Sequence, residues 1–151
     1  MEISKITKKY WEEKDWQDLE KAESVGDLYS IAGRIIYKMP EQLVQVYGPV
    51  ATGGLGSVEA NLNAFNDSIK ELQSQGLNVF DQMPFEEPMQ KLKKKMTVEE
   101  CVNSILNDFY LPIFKSGKIS KFYFMKGWES SNGAKCEHGI AKELGIEIEY
   151  L

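Results

Sequence analysis

Apolar residues along the chain follow two periods, and the change from one to the other marks the elements. Between Asp18 and Tyr37, Leu28, Ile31, Ala32, Ile35 and Ile36 recur at helical spacing and predict a helix. Met39-Pro40 ends it, because the residue before a proline is pushed out of the helical region. Leu43-Val44-Gln45-Val46-Tyr47 is a short β-rich run and reads as a first strand. Val58, Leu62, Phe65, Ile69 and Leu72 then alternate spacings of four and three, one buried face of a helix. Gly76 stands where a C-terminal cap is expected.

Leu77-Asn78-Val79-Phe80 reads as a second strand. Residues 81–96 read as a long connection carrying Pro84, Pro88, the acidic pair Glu86 and Glu87, and a lysine run at Lys91, Lys93, Lys94 and Lys95. Thr97-Val98-Glu99-Glu100 has the form of a capping box, threonine at the cap and glutamate three later. The helix it opens carries Val98, Cys101, Val102, Ile105, Leu106 and Phe109, with Pro112 disturbing its last turn. Ile119 to Met125 is a third strand and Lys126 to Ser131 a loop. Asn132 to Leu144 is a helix closed by Gly145, and Ile146 to Tyr150 a final strand.

From residue 43 onward strands alternate with helices, which implies a parallel sheet with helices on its faces. The expected architecture is α/β: a small flavodoxin-like or Rossmann-like three-layer sandwich with a parallel sheet of about four strands. Residues 41–151 would form it, and residues 1–40 an N-terminal helical extension. Ligands of such folds sit outside the carboxyl ends of the strands. That selects the loops 48–57, 81–96 and 125–132. Residues 1–16 are polar with scattered aromatics (Tyr10, Trp11, Trp16), a helical arm or a partly ordered lead-in.

Composition narrows the function. With 151 residues the chain is expected to be one domain, since a domain takes about 100–200. Its formal charge of -5 argues against a dedicated nucleic-acid binder, which carries a basic balance. The two cysteines, Cys101 and Cys136, lie far apart, so neither a disulfide framework nor a zinc site is expected. The one histidine, His138, excludes a multi-histidine metal centre. No apolar run approaches the roughly 20 residues that span a membrane. A cytoplasmic protein without metal, cofactor or membrane contact is expected.

Three features carry candidate chemistry. The glycine-rich loop from Gly48-Pro49 through Gly53, Gly54 and Ser57 leaves a strand and enters a helix N-terminus, which suits an anion. It suits equally a tight turn that needs positive φ. In Gly127-Trp128-Glu129-Ser130-Ser131-Asn132-Gly133-Ala134-Lys135-Cys136-Glu137-His138, Glu137 stands about one turn inside a helix, facing the strand ends. It is either a reactive carboxylate or one favoured by the helix dipole. His138 points roughly 100° away around that helix, which favours a packing role. Trp128 stacks on a flat base or, by a small preference, covers the sheet edge. Asp108, late in its helix, looks like an ordinary surface acid, and Asp81, Glu86 and Glu87 are equally ambiguous.

Taken in order, these segments resemble the nucleoside 2-deoxyribosyltransferase-like superfamily, within it a branch of small bacterial and phage proteins. Val46-Tyr47-Gly48-Pro49-Val50 is similar to its strand-plus-Gly-Pro opening. Asn61 to Phe65 is similar to its Asn-x-x-x-Phe helix start, and Val79-Phe80-Asp81-Gln82-Met83-Pro84 to its second-strand-to-proline segment. Gly127 to Glu137 matches a Gly-Trp-Glu-x-Ser-x-Gly-Ala-x-x-Glu pattern. The resemblance covers about residues 43–150. It implies cleavage of the N-glycosidic bond of a (deoxy)nucleoside or its 5′-monophosphate, by hydrolysis or transfer. Glu137 would be the nucleophile, forming a covalent glycosyl ester, and Asp108 would bind or protonate the leaving base.

Transferases of free nucleosides carry an aspartate six residues before the nucleophile, where this chain has Ser131. The monophosphate N-hydrolases have serine there, contacting the 5′-phosphate. The resemblance therefore leans toward a nucleoside 5′-monophosphate, although the first loop lacks the arginine often found in those hydrolases. Gly48, Pro49, Gly53, Gly54, Ser57, Trp128, Ser131 and Gly133 are the expected substrate-binding residues. A homo-oligomer, dimer or higher, is expected, with the N-terminal helix as a contact. Two other readings compete. One is a nucleotide-binding module without turnover. The other is an interaction protein that associates through Trp11, Trp16 and the first helix.

Overall fold

A computed structural model describes residues 2–151, the side chains of Cys101 and Val102 excepted. Those two expected core positions thus lie outside the described side chains. Three parallel strands form the sheet: β1 (Leu43–Tyr47), β2 (Ile119–Phe124) and β3 (Glu147–Tyr150), in the order β1-β2-β3. The fold is the expected α/β sandwich.

The expected second strand contributes a single parallel bridge, Val79 to Val44. The Val44 N–H donates to Asn78 O at 2.9 Å, and the Phe80 N–H to Val44 O at 2.9 Å. Two residues on, the Gln82 side-chain amide donates to Val46 O at 2.6 Å. A side chain thus takes the acceptor that the next rung would have used, and the backbone is released to turn. This short segment flanks β1 on one side and β2 on the other. The connections from β1 therefore diverge at its carboxyl end, the switch point where α/β sheets open a crevice.

Helices cover both faces. On one, Val44, Val46, Tyr123 and Met125 pack with Phe65, Ile69 and Leu72 of α4 (Val58–Ser74), the helix expected from the alternation of fours and threes. On the other, Leu43, Tyr47, Phe122 and Phe124 meet residues from several helices and from the N-terminal segment. In a strand, successive side chains alternate between faces, which separates the two clusters.

The first forty residues build part of that second layer. After α1 (Lys5–Lys8), the expected helix over 18–37 is two helices, α2 (Glu13–Lys21) and α3 (Val25–Lys38). The break has a local cause. Ser24 caps α3 by accepting the Asp27 N–H at 3.1 Å, while Asp27 accepts the Glu23 N–H at 3.0 Å. Leu28, Ile31, Ala32 and Ile35 of α3 are buried. Trp11 is 7% exposed, stacked on Trp16 at 4.3 Å and packed on Phe85 at 5.3 Å.

The expected connection 81–96 is instead largely a helix, α5 (Met83–Lys93). Pro84 lies in its first turn, where the missing N–H would have no partner anyway. The Asp81 carboxylate accepts the Met83 N–H at 2.9 Å and starts the turn. The capping box at Thr97 and Glu100 forms reciprocally, at 3.1 and 3.0 Å, and opens α6 (Val98–Ile105). A π-helical turn, Leu106–Tyr110, then runs into α7 (Leu111–Lys115). The wider turn absorbs Pro112 without ending the rod. After β2, a 3-10 turn (Trp128–Ser130) leads into α8 (Asn132–Leu144), with Gly145 left-handed at φ 69°. Among the described residues no helix is long and apolar enough to cross a membrane.

Candidate functional site

The ends of β1 and β2 are tied together before any cavity is formed. The Met125 N–H donates to Tyr47 O at 2.8 Å, prolonging the ladder. Gly48 follows, and a Cβ there would stand 2.5 Å from Met125 Sδ, so only glycine lets the strands stay this close. Ser131 caps α8, its Oγ accepting the Ala134 N–H at 3.2 Å.

The 48–57 loop folds back onto this cap. Asn132 N–H donates to Thr52 Oγ1 at 3.2 Å and Gly54 N–H to Ser130 Oγ at 2.9 Å. Asn61, from the first turn of α4, holds the loop from below. It accepts the Leu55 N–H at 2.8 Å and donates to Val50 O at 2.9 Å and Gly53 O at 3.1 Å. Gly53 and Gly54 have φ of 70° and 68°, and a Cβ would strike Ser130 at the first and Asn61 at the second. These glycines serve a tight turn and a close approach. Pro49 is buried behind the loop, and Ser57 caps α4 by accepting the Ala60 N–H at 3.1 Å.

Beside this junction lies a cavity of about 450 Å³, within the range of small-molecule sites. Tyr47, Gly48 and the loop from Val50 to Thr52 form one side. Gln82 and the α5 residues Glu86, Met89 and Lys93 form another. Leu106 and Tyr110 of the π turn close a third, and the start of α8 from Ser131 through Glu137 the fourth. Of the expected site residues, Glu137, Ser131, Gly133 and Gly48 line this space together. Pro49, Gly53, Gly54, Ser57 and Trp128 do not.

Trp128 covers the sheet edge. Its ring stacks on His138 at 4.2 Å and packs on Phe124 at 5.3 Å. His138 is 9% exposed with Nε2 2.7 Å from Tyr150 Oη, a packed histidine on the side of α8 away from the cavity lining. Asp108 also falls outside. It is exposed, accepts the Ser104 hydroxyl at 3.1 Å, and lines a separate depression with Met96 and Glu100. Asp108 shares a helix face with Ser104, four residues before it, whereas Leu106 and Tyr110, also four apart, present the opposite face to the cavity.

Four polar residues at the cavity were missed as a set: Glu86, Lys93, Gln82 and Tyr110. Glu86, Met89 and Lys93 are spaced by three and four, a helical face hidden because two prolines made 81–96 read as a connection. Burial pushes Glu137 well above the ordinary carboxyl range, the Glu86 charge adds to this, and Lys93 opposes it. Burial likewise raises Glu86, against Lys93 and a hydrogen bond from Gln90. Burial keeps the Tyr47 and Tyr110 hydroxyls protonated, with Glu137 reinforcing the effect at both. Tyr47 Oη and Gln82 Oε1 are buried with no hydrogen-bond partner among the described residues. Both therefore have capacity for a ligand. Among the described residues no cluster of histidine, cysteine and carboxylate side chains is arranged to hold a metal ion.

Residues 44–150 match a family described as a domain of unknown function (DUF4406). The chain belongs to this DUF4406 family. No curated protein and no solved structure matches it. Every residue lining the cavity falls inside the DUF4406 match, whereas α1, α2 and α3 precede it.

Proposed function

We propose that the cavity binds a nucleoside 5′-monophosphate, or a nucleoside, and cleaves its N-glycosidic bond. The observation that carries this is the pair Glu137 and Glu86, two carboxyl groups facing one cavity and each raised by burial. Like charges held in a low dielectric share a proton, so one group is acid while the other is carboxylate. Lys93 favours the charged form of both and so opposes the burial that raises them.

Glu137 attacks the anomeric carbon. The C–N bond breaks, and its electron pair leaves with the base, which takes a proton from Glu86. Water then attacks the anomeric carbon of the glycosyl ester, gives its proton to Glu86 and frees Glu137. Glu86 takes the acid role that the family resemblance had suggested for Asp108. Ser131 and Gly133, at the N-terminus of α8, suit the 5′-phosphate, since a neutral hydroxyl and the Gly133 N–H at a helix start accommodate a dianion.

A mass-spectrometric screen of ribo- and deoxynucleosides and their 5′-monophosphates tests the reading. Free base from monophosphates is expected, abolished in Glu137→Ala and slowed about 10²–10⁴-fold in Glu86→Gln. Absence of base from every substrate, or full release by Glu137→Ala, overturns it. A second reading, nucleotide binding without turnover, is favoured by the burial that disfavours an ionised Glu137. It requires saturable binding without product that survives Glu137→Gln.

A further inference from the structure

The N-terminal segment reaches the cavity without touching it. The Thr7 hydroxyl donates to Asp81 Oδ2 at 2.7 Å and accepts from Gln73 Nε2 at 3.0 Å. The Gln73 carbonyl is held in turn by the Ser4 hydroxyl at 2.6 Å. Thr7, Gln73 and Asp81 are all buried, at 5%, 6% and 3% exposure. The other Asp81 oxygen accepts the Met83 N–H at 2.9 Å, the bond that starts α5. The next residue after Asp81 is Gln82, pinned to Val46 O at 2.6 Å. A little further on, Phe85 is gripped by Trp11 at 5.3 Å.

We infer that Thr7 is a positioning residue for the cavity. Through Asp81 it sets where α5 begins, and so where Gln82, Glu86 and Lys93 stand. A buried carboxylate that loses a donor is costly, and without the Thr7 hydroxyl Asp81 keeps only the Met83 N–H. The helix that supplies one wall of the site is thus anchored by residues that precede the family match. Geometry alone makes the argument. The inference rests on this cavity being the functional site, but not on the reaction proposed for it.

The test reads the side-chain carboxyl carbons of Glu86 and Glu137 by NMR across pH in the full chain, without substrate. Failure of the proposed reaction therefore leaves it intact. Glu137 faces Glu86 and Lys93, and Glu86 faces Lys93. The titratable Tyr47, Tyr110 and Cys136 adjoin Glu137, Tyr110 also adjoins Glu86, and Lys70 acts on Asp81. The folded wild type and Thr7→Ser should give the same titration curve for Glu86. In Thr7→Val, which keeps the size and loses the hydroxyl, the Glu86 midpoint should move by several tenths of a pH unit. An unchanged Glu86 curve in Thr7→Val overturns the inference, as does an equal displacement in Thr7→Ser. Should Thr7→Val fail to fold, Gln73→Met, which removes the anchor of the same hydroxyl, is read by the same criterion.

Discussion

Glu137 shows how one residue carries opposite consequences for stability and for chemistry. Its folded-state carboxyl is raised above the unfolded value by burial first and by Glu86 second. A raised carboxyl contributes stability that is present below the unfolded value and lost as pH rises through the folded one. The protein should therefore lose stability as pH climbs from the ordinary carboxyl range toward neutrality. Glu137→Gln should be more stable than the wild type at neutral pH, with a flatter profile above about pH 4.5. Urea unfolding at several pH values measures this, and equal profiles for the two proteins would contradict it. Active sites commonly hold such destabilising groups.

At the level of elements, the pairing of α2 with α3 has the opposite sign. Asp15, with a side chain 2% exposed, accepts the Glu12 N–H at 2.9 Å and receives Arg34 at 2.9 Å and Lys38 at 2.9 Å. Burial works against its charge, but the bonds from Glu12, Lys38 and Arg34 together outweigh it, so its carboxyl is lowered below 3.8. A lowered carboxyl contributes stability above its unfolded value that is lost as pH falls through the folded one. Asp15→Asn should therefore be less stable at neutral pH, and the difference should shrink below about pH 4. Acid titration of the far-UV signal in both proteins checks the sign. The same scale explains the site: α5 supplies Glu86 and Lys93 of its wall, the π turn Tyr110, and α8 Glu137.

Across the whole molecule, the N-terminal segment and the sandwich share one apolar layer. Phe85 joins them, 1% exposed, with ring centroids 5.3 Å from Trp11, 5.3 Å from Phe109 and 6.2 Å from Phe80. Truncating a buried phenylalanine costs about 3–5 kcal/mol. Phe85→Ala should lose that much in urea, and the loss should appear in one transition, by tryptophan fluorescence and by circular dichroism alike. Two separated transitions would show that the segment around Trp11 and Trp16 unfolds apart from the sheet. A compact chain of this kind also places the cavity at the divergence of the β1 connections, where the backbone leaves room that no helix fills.

Much of this was legible from the sequence because it depends on neighbours in the chain. The bounds of α8 follow from Ser131 at one end and Gly145 at the other, and the start of α6 from Thr97 and Glu100, since caps are satisfied within a few residues. Apolar periodicity located α4 and the three strands, and the alternation of strand and helix dictated a parallel sheet. Glu137 could be placed at the strand ends by the same logic. What only the tertiary structure decided depends on groups far apart in sequence. Gln82 ends a strand after one bridge because Val46, from another strand, offers it an acceptor. Residues 83–93 are helical although two prolines argue otherwise, because Asp81 and the packing of Phe85 and Met89 hold the turn. Glu86 and Lys93 share the cavity with Glu137 because α5 packs against it, and Asp108 does not because it stands on the face opposite Leu106 and Tyr110. Local hydrogen bonds and spacing are written into adjacent residues, whereas the meeting of side chains across a cavity is settled only when the core has packed.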